Sequence, residues 1–222
     1  MADESSQFFT KIGRTVYVSG DASKWSHRLL NSFPGVRSEA GLKAYAEDSA
    51  KQIDLVVFVN TTSQRPERQG LAYGLIEKFK VFNVSTAVVG RCDVFCSGVF
   101  MGGKTRTFGQ DLPSQLTFLD IQPPIDPLTG KLELRFWEQQ FSLFINQEPR
   151  LSAFSTIWEK AFNQVVDDSG GLSIFPDQKA KYCASRKSEN TCEVTGANAL
   201  EMGIVTDGRR GSFVLPREFI IN

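Results

Sequence analysis

Two cysteines, an aspartate and a serine stand close together near the middle of the chain, directly after a short apolar run. The run covers residues 87–89, and the side chains that follow it include Cys92, Asp93, Cys96 and Ser97. A thiol or hydroxyl at the start of a helix that follows a strand is a common way for an α/β enzyme to present a nucleophile. The segment therefore indicates a candidate catalytic turn.

Three side chains are candidates for chemistry at this turn. Ser97 falls near a predicted helix start, where backbone N–H groups stabilise an anion, and Asp93 and Asp120 could serve as general base and orienting acid. Each also has a plain structural interpretation: Ser97 as a small packing residue, Asp93 as a helix cap, and Asp120 as a solvated acid at a strand end. Both interpretations stay open from the sequence.

The four cysteines form two local pairs, which suits either disulfides or buried thiols. For an exported protein we favour a disulfide between Cys183 and Cys192 that closes the polar loop 184–191. Cys92 could also bond to Cys96, and cross-pairing between the two pairs stays open. Spacings of four and nine lack the two-residue knuckle of zinc sites, so we expect no metal and no cofactor.

Strands and helices alternate through the first half of the chain, which predicts β-α-β units with a mostly parallel sheet and flanking helices. The apolar run 54–60 is typical of a parallel strand covered on both faces. The strands are predicted at 15–20, 54–60, 85–90, 105–108, 116–121 and 172–175, and the helices at 23–32, 38–52, 70–79, 96–102 and 195–202.

A length of 222 residues suits one domain, and we treat residues 1–222 as such. The turn-rich segment 123–130 is the candidate hinge, and residues 123–150 form an inserted hinge and helix. Amphipathic helices are predicted at 132–146 and 154–166. The apolar stripe of the second one favours a core face, with an oligomer interface as the alternative.

Charge and hydropathy exclude several classes of partner. Lysine and arginine together number 25, as do aspartate and glutamate, and this balance argues against a nucleic-acid or anionic-membrane partner. No apolar run approaches the roughly 20 residues that span a bilayer. Residues 1–10 are polar and acidic, unlike an export signal. We expect a periplasmic or secreted protein whose signal has been removed, with a cytoplasmic location left open.

The order of elements resembles the Clp protease/crotonase (ClpP-like) superfamily, a β-β-α spiral. The closest likeness is to exported Clp-like bacterial proteins that read Arg-Cys-x-Ser-x-Cys at the active turn. Here Arg91, Cys92 and Cys96 match that turn, but Val94 stands at the serine position. The other segments that carry the resemblance are 16–20, 56–60 with 70–72, 88–90, 102–108 and 199–205.

What the resemblance implies for catalysis is a Ser-His-Asp triad whose other positions are also changed. The base histidine would fall at Leu119 or Asp120 and the third member near Thr191, while the oxyanion glycines are replaced at 61–64. The one histidine, His27, is expected on a helix surface. We therefore expect a catalytically degenerate Clp-like protein that acts by binding or assembly. The alternative is a hydrolase or crotonase-type lyase or isomerase with a relocated site around Ser97, Asp93 and Asp120.

The resemblance also implies homo-oligomers, built through the helices that follow the central spiral. The side chains expected at the subunit interface are the aromatic residues of the two amphipathic helices. They are Phe136, Trp137, Phe141, Phe144, Phe154 and Trp158.

Overall fold

The computed structural model of the protein describes residues 8–35, 38–62, 69–121, 144–146, 148–165, 169–186, 189–194 and 197–219. They divide into two compact units. Unit 1 takes the described residues up to Ser114 and from Asp207 onward, and unit 2 takes those from Gln115 to Thr206. The single domain over 1–222 stays a prediction. Most of the predicted insertion at 123–150 lies outside the described residues.

Unit 1 alternates strands and helices. In chain order these are β1 (Phe9–Ile12), β2 (Thr15–Asp21), α1 (Ala22–Asn31), α2 (Glu39–Glu47), β3 (Leu55–Thr62), α3 (Gln69–Val81), β4 (Ser85–Asp93), α4 (Phe95–Phe100) and β5 (Arg106–Phe108). Strands β2, β3, β4 and β5 pair in parallel in that order, and β1 pairs antiparallel with β2. The predicted α/β class with parallel strands and flanking helices is confirmed here.

One face of the parallel strands is covered by helices. Side chains alternate across a strand, so Val56, Phe58 and Val88 share a face, and all three are fully buried. The ring of Trp25 in α1 lies 5.6 Å from that of Phe58 and 5.9 Å from that of Phe95 in α4, measured between centroids. The aromatic contacts therefore tie α1 and α4 to the middle strand.

The opposite face is covered by residues 207–219, called the strap below, which end in a short 3₁₀ helix at Arg217–Phe219. Phe219 is buried in a cluster of alternate strand residues, and Phe213 and Leu215 pack against it. The strand members of this cluster are Tyr17, Val57, Val59, Ala87 and Val89. The prediction that β3 is covered on both faces is thus confirmed.

Local sequence sets where the helices of unit 1 begin. The Asp21 carboxylate accepts a hydrogen bond from Ser23 N at 2.7 Å, and the Ser38 hydroxyl accepts one from Gly41 N at 3.1 Å. Both side chains satisfy backbone donors that a first helical turn leaves unpaired. Helix α2 ends at Glu47, earlier than the predicted 52.

In the described part of unit 2, the strands pair antiparallel with one another. The strands are β6 (Gln115–Ile121), β7 (Ser169–Ile174), β8 (Lys181–Arg186) and β9 (Glu189–Val194), and the helix α5 (Ser152–Val165) lies between β6 and β7 in the chain. Strand β7 pairs with β6 and β8, and β8 pairs with β9. The predicted polar loop 184–191 is therefore wrong, because residues 184–186 and 189–191 lie in the paired strands β8 and β9. Cys183 and Cys192 are directly opposite in the register of this pair, and a disulfide between them stays a prediction.

The helix predicted at 195–202 is also wrong. The described residues from 197 form only a turn, in which the Asn198 carboxamide oxygen accepts from Leu200 N and Glu201 N. Gly203 follows with φ +71°. An asparagine cap and a left-handed glycine only five residues apart leave no room for a longer helix.

Helix α5 buries its aromatic stripe within unit 2. Phe154 and Trp158 are almost fully buried, and their ring centroids lie 5.2 and 6.2 Å from that of Phe118 in β6. The core interpretation is confirmed for these two members of the stripe. Phe154 and Trp158 are not available to a second subunit, so that part of the predicted interface is wrong. Phe144 is half-buried, and Phe136, Trp137 and Phe141 lie outside the described residues.

None of the helices in the described ranges is both long and apolar enough to span a bilayer.

Phe219→Ala tests whether the strap stabilises unit 1. Phe219 is 1% exposed, so its loss leaves a cavity over the sheet and should lower the free energy of unfolding by about 3 kcal/mol or more. Val214 lies in the same strap but is 86% exposed, and Val214→Ala should change that free energy by less than about 0.5 kcal/mol. Urea denaturation measures both. Equal effects of the two substitutions would contradict this role of the strap.

Candidate functional site

The carboxyl ends of β3 and β4 meet at one edge of the unit 1 sheet. Thr61 in β3 is paired with Cys92 in β4, and Thr62 with Asp21 at the end of β2. In α/β sheets of parallel strands, ligands bind at this edge. The edge therefore places the end of β2, the start of the predicted oxyanion segment and the candidate turn next to one another.

A bulge interrupts the β3–β4 ladder just before this edge. One residue of β3, Asn60, stands opposite two of β4, Gly90 and Arg91, between the pairs Val59–Val89 and Thr61–Cys92. Asn60 and Gly90 both have left-handed backbones, with φ +45° and +77°. The Asn60 carboxamide oxygen accepts from Arg91 N at 3.1 Å. Bulges of this kind are common beside active sites, where they redirect the chain.

Gly90 is required at this bulge for two reasons. Its positive φ disfavours any residue with a side chain, and a Cβ there would lie 2.0 Å from the carboxamide oxygen of Asn60. From the sequence, Gly90 is predicted only as the end of an apolar strand. Asn60 is not predicted at all, because a single asparagine after an apolar run carries no signal of a bulge.

Beyond the bulge, β4 turns sharply into α4, and residues 92–97 form what we call the elbow. Val94 is at its apex with φ +43° and ψ −87°, and it precedes the helix without any side-chain cap. A β-branched residue with positive φ is a clear conformational outlier. Serine nucleophiles of α/β hydrolases occupy similar strained strand-to-helix turns. Here the apex has the sharp turn but presents two methyl groups.

A disulfide closes the elbow. Cys92 and Cys96 are bonded, with their Cα atoms 5.3 Å apart, and both residues are fully buried. This confirms one of the pairings that the sequence left open. A second connection lies beside it, because the Ser97 hydroxyl donates to the carbonyl oxygen of Cys92 at 2.6 Å. Ser97 is itself fully buried.

The acid of the elbow, Asp93, is buried at the end of β4. Its Oδ2 accepts a hydrogen bond from Nη2 of Arg91 at 3.1 Å, and the Arg91 side chain is 61% exposed. Buried carboxylates are costly unless paired with a charge or a donor. This arrangement therefore holds a paired carboxylate beside the apex, with its cation facing solvent.

Thr61 contributes a further polar atom. Its hydroxyl is buried and makes no hydrogen bond to any of the residues that the structure describes. Burying a hydroxyl in this way costs free energy. Thr61 is also the first residue of the segment 61–64, where the resemblance predicts that the oxyanion glycines are replaced, and it is a β-branched residue within β3.

The candidate residues fall on different elements. Ser97 and Asp93 both belong to the elbow, as predicted, whereas Asp120 and Leu119 lie in β6 and Thr191 in β9. Their convergence with Ser97 and Asp93 stays a prediction, as does the role of each as a triad position. The sole histidine, His27, is exposed on α1, as expected.

The described ranges also bear on metal binding. No cluster of three or more histidine, cysteine, aspartate or glutamate side chains suited to a metal ion occurs in them.

Ser97→Ala tests the hydrogen bond across the elbow. The Cys92 carbonyl would lose its buried donor, which should lower the free energy of unfolding by about 1–3 kcal/mol. Ser49→Ala is the control, since Ser49 is exposed in the turn after α2 and its loss should have almost no effect. Urea denaturation with the disulfide intact measures both. No destabilisation by Ser97→Ala would show that this bond contributes little.

No protein-family model matches the chain, and no curated protein matches it. Among solved structures, the chain is similar to the 1510-N membrane-bound stomatin-specific protease, solved as a mutant, at 10% identity over 86% of this chain and 75% of that chain, with a TM-score of 0.46. It is also similar to PA4980 of Pseudomonas aeruginosa, at 11% identity over 78% of this chain and 73% of that chain, with a TM-score of 0.41. Similarities this distant say nothing about activity.

Proposed function

We propose that this protein is a Clp-like α/β protein that acts by binding or assembly, without Ser-His-Asp peptidase chemistry. The observation that carries the proposal is the apex of the elbow. Val94 takes the kind of strained strand-to-helix position where α/β hydrolases place a nucleophile, and a valine has no atom that attacks a carbonyl carbon.

The elbow contains one serine, Ser97, and its hydroxyl does not replace the missing nucleophile. A nucleophilic oxygen must reach a substrate carbonyl and pass its proton to a base. The Ser97 oxygen is fully buried, and its proton is directed to the Cys92 carbonyl at 2.6 Å. The sequence has one histidine, and it is exposed on α1. These facts support a small packing role for Ser97.

A thiol mechanism is also disfavoured. The reactive form of cysteine is the thiolate, and a disulfide has none. Cys92 and Cys96 are bonded to each other and buried. The elbow therefore offers neither a serine nor a cysteine nucleophile in its oxidised form.

The binding half of the proposal rests on the edge formed by the ends of β2, β3 and β4. Two residues there other than glycine, Asn60 and Val94, have positive φ, and such outliers concentrate at functional sites. The exposed Arg91 guanidinium and the buried Asp93 carboxylate give the edge a polar margin. The proposed ligand or partner contacts this edge.

An oxidising location follows from the same proposal. Disulfides persist outside the cytosol of most organisms, and the Cys92–Cys96 bond supports a periplasmic or secreted protein. Assembly is proposed as homo-oligomerisation through the remaining aromatic side chains of the predicted interface, Phe136, Trp137, Phe141 and Phe144.

The second candidate is an enzyme of the crotonase type or a hydrolase with a relocated site, and Asp93 favours it. A lyase or isomerase needs an acid or base and two backbone donors but no serine. A buried carboxylate beside a strained apex suits that task. This alternative also requires Asp120 to approach Asp93.

Fluorophosphonate labelling tests whether Ser97 is a nucleophile, as a hydrolase with a relocated site would require and as the first candidate excludes. We expect no labelled serine in the full-length protein, because the Ser97 oxygen is buried and hydrogen-bonded. Peptide mass mapping after labelling locates any adduct, and Ser97→Ala is the matched control. A specific adduct on Ser97 that disappears in this variant would overturn the proposal.

Val94→Ser places a hydroxyl at the apex but supplies no base, so this variant should not hydrolyse ester substrates.

Sedimentation velocity of the full chain tests the assembly half. We expect a species larger than the 24.7 kDa chain at micromolar concentration. A chain that stays monomeric over a hundredfold range of concentration would contradict assembly and restrict the proposal to binding. Trp158→Phe serves as a control because Trp158 is packed inside unit 2, so this substitution should leave the sedimentation coefficient unchanged.

A further inference from the structure

The backbone of Val94 is held against its own preference. Its φ of +43° lies in the region that favours glycine, and its side chain branches at Cβ. Such a conformation persists only when the surrounding structure over-determines it. Contacts around Val94 must therefore supply that constraint.

Packing alone gives Val94 little restraint. Its side chain is only half-buried, and the residue forms no side-chain cap with α4. Its carbonyl oxygen does accept a hydrogen bond from Gly98 N at 3.0 Å, the first bond of the helix. That bond uses the carbonyl side of the residue and leaves rotation about the N–Cα bond to be fixed by the chain on the other side.

Two connections span the apex from Cys92. One is the disulfide to Cys96, and the other is the hydrogen bond from the Ser97 hydroxyl to the Cys92 carbonyl. The disulfide is covalent and closes a ring of only five residues with Val94 at its centre. A ring this short leaves few conformations to the residue in the middle.

We infer that the Cys92–Cys96 disulfide is a redox-dependent clamp that holds Val94 in the left-handed region. A dithiol reduces it: the S–S bond breaks, Cys92 and Cys96 each gain one electron and one proton, and the dithiol forms its own disulfide. The turn at Val94 then relaxes toward negative φ, which displaces the first turn of α4 at the strand edge.

The clamp responds to small reductants and slowly. Both cysteines are fully buried, so a dithiol reaches the bond only when the first turn of α4 opens. This inference goes beyond the proposed function and does not depend on it, because the edge would take two forms whether it binds a partner or holds a reactive group.

A comparison of glycine with alanine at position 94 reports the backbone conformation there. Where φ is positive, glycine is the more stable of the two, whereas at ordinary positions alanine is. In the disulfide-bonded protein we expect Val94→Gly to melt roughly 2–4 °C above Val94→Ala. With Cys92→Ala and Cys96→Ala added, the order should reverse.

The control is Ala44→Gly, an exposed position inside α2. It should lower the melting temperature equally with and without the two cysteine substitutions, which shows that those substitutions do not themselves alter the preference for alanine. Val94→Gly more stable than Val94→Ala in both backgrounds would overturn the inference, since the elbow would then hold its shape without the disulfide. The opposite order in both would contradict a positive φ at Val94.

Hydrogen exchange keeps the inference testable if these variants fail to fold. The unaltered protein is compared before and after reduction by dithiothreitol, with alkylation and peptide mass mapping confirming that Cys92 and Cys96 have become thiols. Exchange in the peptide containing Gly98 N should rise at least tenfold, while peptides of α3 stay unchanged. Unchanged exchange at Gly98, or an equal rise in α3, would contradict a local clamp.

Discussion

The described part of unit 1 depends on one constraint, which is that the parallel strands β2, β3 and β4 are buried on both faces. Val56 and Phe58 face the helices, while Val57 and Val59 face the strap, so a shift of one residue in β3 would exchange these two sets. The register of β3 against β4 is therefore fixed by packing. A fixed register also fixes where each strand ends, and the position of the elbow follows from it.

At the end of β4 this regularity gives way to local strain. The bulge at Asn60 and Gly90 changes the pairing by one residue, and the chain then reverses at Val94 with an unfavourable φ. The free energy cost of such a residue is of order 1–3 kcal/mol. Covalent and hydrogen-bonded connections from Cys92 offset it. Packing thus determines the position of the elbow, and short-range connections determine its shape.

Apolar periodicity predicted the parallel strands and their helices to within a few residues, because both faces of β3 are buried and its sequence shows it. The hairpin of β8 and β9 was missed because its residues are polar, and polar antiparallel strands resemble loops in sequence. In the site, the Cys92–Cys96 disulfide was one of several pairings that the cysteine spacing left open, because spacing alone does not determine connectivity. The positive φ of Val94 and Asn60 had no signal, since neither residue type favours that region strongly enough to be read.

Strain and catalysis are usually linked at an elbow because a left-handed apex exposes a nucleophile and opens backbone donors around it. Here the apex carries Val94, the Ser97 hydroxyl of the elbow donates to the Cys92 carbonyl, and the two sulfurs are bonded to each other. The serine hydroxyl and both sulfurs of the elbow are therefore engaged in bonds that hold the turn. Under the proposed function, the shape of the elbow is the property that a partner, ligand or reductant can act upon.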